Sequence, residues 1–188
     1  APLDRFTWSY AREVAANPVR VYNPMARNAK GAALSDPQTE RYLFYRGLGR
    51  FQPPMRVTSV ASANGVETVR AQGSEPSAGP VWLLRVDAST GAFVRLDPAG
   101  NQSAFELPLS RLSQARSLDS FVTDLAEELT AALRGTGLYQ DEALAMINTW
   151  RKQWFLTPGV RLLYFAPTSW LERELPLTIS PAPDLTTR

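Results

Sequence analysis

The chain carries 18 acidic and 20 basic residues but neither histidine nor cysteine, and this pair of absences decides most of its chemistry. A Ser-His-Asp or Cys-His nucleophile system cannot be assembled within it, and the usual zinc ligand sets are missing. What remains is carboxylate, Lys, Tyr or Ser/Thr chemistry, or a site that binds without catalysing. Lys30 and Lys152 are the only lysines, and neither has a serine at a recognisable spacing for a Ser-Lys dyad. The sequence therefore points to no catalytic residue, no metal ligand set and no cofactor.

Paired carboxylates are the one catalytic arrangement still open. The candidates are Glu40, Glu127, Glu128, Glu142, Glu172 and Glu174. A glycan hydrolase needs two carboxyls about 5–10 Å apart across a cleft, with one pKa raised. Glu127 and Glu128, with Asp124 a turn earlier, project from the polar side of a predicted helix. Asp141 and Glu142 fall in the first turn of the next, where the helix dipole favours acids. Solvated faces and dipoles account for these residues without catalysis.

Ligand-binding candidates come from the stretch ERYLFYRGLGRF, residues 40–51. Arg46 and Arg50 flank Gly47 and Gly49, an arrangement suited to an anion, and Glu142 is the acidic candidate beside them. Read as a strand, the stretch sends Tyr42, Phe44 and Arg46 to one face and Arg41, Leu43 and Tyr45 to the other. Apolar groups on both faces describe a central strand covered on both sides, leaving Arg46 in need of a partner. GLGRFQ is not a dinucleotide loop: Gln52 stands where the third glycine belongs, and Pro53 and Pro54 follow instead of a helix. Trp82, Trp150, Trp154 and Trp170 suit a sugar platform, but Trp150 and Trp154 lie four apart on a predicted apolar helix face, so core packing is the better reading.

The elements that position these residues follow from punctuation and period. Residues 1–39 are broken by Pro18, Pro24 and Pro37, with VRVY as an edge strand. MRVTSVAS and VETVRAQ flank Asn64-Gly65, a favoured hairpin turn. VWLLRVD and AFVRLD make a second hairpin, and SAFELPL a further strand. Leu118, Phe121, Val122, Leu125, Leu129, Ala132 and Leu133 recur at helical steps up to Gly135-Thr136-Gly137. A second helix, from Gln140 to about Phe155, carries Ala143, Met146, Ile147, Trp150 and Trp154. VRLLYFAP reads as a buried strand, SWLERELP as a short helix capped by Thr168 or Ser169, and LTIS as a last strand. The class is α+β: an antiparallel β-rich sheet or sandwich with an αα-hairpin, about 117–155, inserted before the last strands. The expected divisions are an irregular 1–39, a single domain over 40–183, and a tail at 184–188.

Composition is that of a globular chain, 44% hydrophobic and 20% charged. The net charge is +2, with no block of basic residues, so a nucleic-acid partner is not expected. The apolar runs fall far short of the roughly 20 residues that span a bilayer. The chain starts at Ala1 rather than Met, and a processed or excised chain that has lost any leader is expected.

ERYLFYRGLG together with GLYQDEALAMINTWRKQWF, an LY-x-x-P strand and LPL-x-I-x-P-x-P resembles a family of exported Gram-negative bacterial proteins that carries no assigned activity. The resemblance implies a periplasmic or secreted home, with the cytoplasm as the alternative, and a chain that continues beyond Arg188. The expected function is a non-enzymatic, extracytoplasmic binding module of the cell envelope, with a protein or envelope component as partner. The alternative is a carboxylate-dependent hydrolase of glycan or peptidoglycan. Oligomeric state stays open.

Overall fold

A computed structural model describes residues 8–21, 30, 38–42, 50–63, 66–73, 79–97, 104–112, 114–180, 182–184 and 186. It begins with a short helix, α1 (Ser9–Glu13), and two short strands, β1 (Val19–Val21) and β2 (Gln38–Glu40), which pair antiparallel. Next come β3 (Met55–Ala63), β4 (Val66–Gly73), β5 (Val81–Val86), β6 (Thr90–Leu96) and β7 (Ala104–Pro108). A 3₁₀ turn at Leu109–Leu112 and the two-residue β8 (Arg116–Ser117) lead to α2 (Leu118–Gly135) and α3 (Gln140–Arg151). A π turn, Lys152–Leu156, then β9 (Gly159–Tyr164) and α4 (Thr168–Glu174) complete the order. The fold is α+β with antiparallel sheets: β3-β4-β7 form one, and β8-β6-β5-β9 the other.

The apolar run Val81–Leu84 of β5, buried throughout, shows where the centre lies, because a strand buried on both faces does not alternate. Trp82, Leu84 and Val86 pack against Phe121, Val122, Leu125, Leu129 and Leu133 of α2, with Ala143 and Ile147 of α3. On the opposite face Leu83 meets Val69 and Leu107, while Val81 meets Met55 and Ala71. The central sheet is thus held between the three-stranded sheet and the helix pair. Gly91 of β6 lets the Phe121 ring press onto the backbone: a β-carbon there would lie 2.5 Å from the ring. The Ser117 hydroxyl accepts from the Ser120 N–H to cap α2, and Gly137, with φ 108°, turns the chain after it. Among the described residues, no helix is long and apolar enough to cross a membrane.

Several sequence expectations are corrected. The strand expected from Glu40 onward ends at Glu40, with Arg41 and Tyr42 in a bend; it belongs to the two-stranded β1-β2 ribbon, not to the centre of a sheet. The positions from 43 to 49 lie outside the described residues, as do Asn64 and Gly65, although Ala63 stands opposite Val66 as a two-residue turn requires. A register shift between Val57 and Ser59 breaks the expected alternation of β3 and leaves both Val57 and Val60 exposed. VRLLYFAP is an edge strand and half-buried, not interior. No strand forms at Leu177–Ser180, and Pro167, not a hydroxyl residue, precedes α4. The segment expected to be irregular contains α1, which packs on α3, and the boundary expected at Glu40 falls at the end of β2.

Candidate functional site

Where β9 ends the central sheet, a cleft of about 1150 Å³ opens beside the helix pair. Leu129 and Leu133 of α2, Ile147 of α3 and Trp154 of the π turn line one side. Leu171 and Glu172 of α4 line another, with Pro176 and Leu177 beyond them. Trp82 forms part of the floor, edge-on to Phe165 at 5.7 Å between ring centroids. Its buried indole N–H donates to Glu128 Oε2 at 3.0 Å, as an interior Trp requires.

Residues from both faces of β9 reach the cleft. Leu163 and Phe165 pack toward the helices, Leu162 and Tyr164 toward the other sheet, and all four line it. The cleft therefore lies at the edge of the C-terminal half of β9, Leu162–Tyr164, and β9 pairs only with β5 among the described residues. An edge strand presents a row of unpaired N–H and C=O groups to whatever lies beside it. Arg161 braces one end of the strand, donating to the carbonyls of Trp154 and Pro158 at 3.3 Å each. At the other end the Tyr164 hydroxyl donates to Met55 O at 2.9 Å and accepts from Met55 N at 3.3 Å. Burial raises its pKa, so this hydroxyl is a structural fastener and not a poised base.

The π turn re-aims the end of the helix. Phe155 turns fully inward while Trp154 faces the cleft. Trp154 stacks on Trp150 at 6.2 Å, Trp150 meets Trp8 edge-on at 6.3 Å, and Trp8 stacks on Tyr42 at 5.6 Å. Arg12 and Glu40 lock the far end, with the guanidinium Nε 3.0 Å from Oε2 and Nη2 2.9 Å from Oε1. Its hydrogen bonds hold the Glu40 carboxyl below the usual carboxylate range. Asp141 adds a tether by accepting from the Ala15 N–H at 2.8 Å. The ERY and TWxxxWF stretches are joined by this aromatic ladder, with Trp8 between them.

The structure does not assemble the ligand-binding residues expected from sequence. Arg46 lies outside the described residues, with Gly47 and Gly49. Arg50 is exposed, and Glu142 is half-buried at the start of α3, where its carboxylate accepts from the Tyr139 N–H at 2.8 Å. That is the helix-capping role of an acid at this position. Neither residue lines the cleft. The carboxylates are likewise dispersed: Glu40 binds Arg12, Glu128 holds Trp82, Glu174 pairs with Arg173 at 2.9 Å, and Glu127 lines a separate groove between α2 and α3. Glu172 alone of the six lines the large cleft.

Of the four tryptophans suited by sequence to a sugar platform, Trp82 and Trp170 are core, the latter donating to Gln52 O at 3.2 Å. Met146 and Trp150, expected in the buried stripe of α3, are 38% and 37% exposed, because Ala143 and Ile147 make the inward contacts. Sequence reasoning missed the β9 edge. No local signal marks it, since VRLLYF is as apolar as an interior strand. Compared with known protein families, curated proteins and solved structures, the chain finds no match in any of the three.

Proposed function

We propose that this protein is a binding module that receives an extended, apolar-rich segment of a partner protein along β9, outside the cytoplasm. The observation that carries the proposal is the coincidence of an apolar cleft with a strand edge that has no strand partner among the described residues. An edge of this kind recognises backbone by strand addition, and flanking apolar pockets read alternate side chains. Among the described side chains that line the cleft, Glu172 is the single charged group and the rest are mostly apolar, which favours an apolar segment over a small charged ligand. The hydrolase alternative requires two convergent carboxyls, and only Glu172 of the candidates lies in the cleft. The extracytoplasmic location rests on the family resemblance alone and is checked by cell fractionation.

Short synthetic peptides alternating apolar and polar residues, added to isotope-labelled protein, provide the binding test. Amide exchange is expected to slow at every second residue of β9, and Met146→Arg, at the cleft wall, is expected to weaken binding. Peptides that bind while leaving the β9 amides unchanged would refute strand addition.

A further inference from the structure

The chain leaves α4 beside the cleft. The Leu175 N–H closes the helix on Leu171 O at 2.9 Å, Pro176 and Leu177 enter the cleft wall, and Thr186, further along, lines the same cleft. In an extended chain Leu177 and Ile179 share one side. They are 47% and 43% exposed, and this β-prone Leu-Thr-Ile run belongs to no strand. Leu177, a water-exposed apolar residue of this strand-forming run, thus lines the cleft beside a strand edge that has no strand partner among the described residues.

We infer that the segment Leu175–Ser180 is a built-in strap over the β9 cleft, which an incoming partner segment must displace. The inference rests on the strand-addition reading above and adds a regulatory element to it. The strap chemically resembles the ligand that the cleft receives: extended, apolar at alternate positions and short of charge. Its sequence also keeps it weak. Pro176 and Pro181 bracket the run, and neither has an N–H to offer a ladder, so only Leu177–Ser180 can pair. A longer partner segment without proline makes more ladder bonds and displaces the strap. The strap's occupancy sets the threshold, because apparent affinity falls with the fraction of molecules whose cleft is open.

The test uses the full chain and two peptides. One is a fluorescent peptide of sequence LPLTISPAP, the strap itself supplied in trans; the other is the alternating peptide of the preceding test. In fluorescence anisotropy, Leu177→Asp/Ile179→Asp is expected to bind both at least about five-fold more tightly than the wild type. Leu177→Ser/Ile179→Ser, a milder pair, is expected to shift in the same direction, and a strap peptide carrying Asp at both positions to bind neither chain. If the alternating peptide binds wild type and both variants equally, the strap is overturned while the cleft still receives segments. If neither peptide binds any chain, the cleft reading falls and the strap with it.

Discussion

Replacing Gly91 by alanine probes the contact that seats α2 on the central sheet. The added β-carbon would lie 2.5 Å from Cγ and Cδ1 of Phe121 and 2.8 Å from Cδ2, where carbon atoms ordinarily stand about 3.5–4.0 Å apart. The ring must therefore retreat by about 1 Å. Phe121 is fully buried, and the Phe93 ring stands 6.0 Å from it, so retreat displaces the core. Overpacking of this kind costs about 1–3 kcal/mol. Alanine also restricts the unfolded chain, which returns about 0.4–1 kcal/mol at most, so the clash wins. At about 2–4 °C per kcal/mol for a chain of this size, the midpoint of thermal unfolding is expected to fall by several degrees. Urea unfolding measures the same loss, with the midpoint lowered and the slope unchanged. Phe121→Leu in the Gly91→Ala background tests the cause: the double variant is expected to lose less than the sum of the single losses, since the shorter side chain vacates the contested space. A Gly91→Ala variant as stable as the wild type, or strict additivity with Phe121→Leu, would refute the proposed close packing.

Two further outcomes follow from the site. Glu128→Ala leaves the buried Trp82 N–H without its acceptor and is expected to cost about 1–3 kcal/mol in urea unfolding; Glu128→Gln keeps an acceptor and costs less, and equal losses would show that the hydrogen bond contributes nothing. Arg12 lowers the Glu40 pKa, so the stability from that pair is fully present above the unfolded carboxylate pKa and is lost as pH falls through the folded one. Tryptophan fluorescence from the Trp8 ladder is expected to shift over that acid range in the wild type, and the shift is expected to disappear in Glu40→Gln; a shift that survives the substitution removes Glu40 as its cause.

The residues themselves show how far sequence could lead. The apolar steps from Leu118 to Leu133 repeat a single face, so α2 was legible, along with its stop before Gly137. The two apolar runs around 87–89 were legible as a hairpin because a short turn leaves adjacent strands little choice but to pair. ERYLFYRGLG misled because its rings are strand-like, yet Tyr42 stacks on Trp8 in a bend. LTIS misled for a related reason: strand propensity cannot supply a partner. A strand over residues 40–51 gives Arg46 a covered face and a need for a partner, and Arg46 lies outside the described residues. Arg50 and Glu142 were grouped by residue type, but the capping geometry of Glu142 was already implied by its place in the first turn of α3.

By itself the sequence determined what acts over a few residues. It specified the helical periods, the turns and the exclusion of histidine and cysteine chemistry, because side-chain spacing and residue identity are local properties. Tertiary structure decided the rest. The β9 strand reaches β5 from far along the chain, pairing Gly159 with Val86 and Tyr164 with Val81. Only that long-range pairing leaves β9 at the edge, opens the cleft beside it and gives the cleft a wall to which Leu177 contributes. An apolar strand has the same local sequence at the centre of a sheet as at its edge, and its neighbours determine which backbone groups remain unpaired.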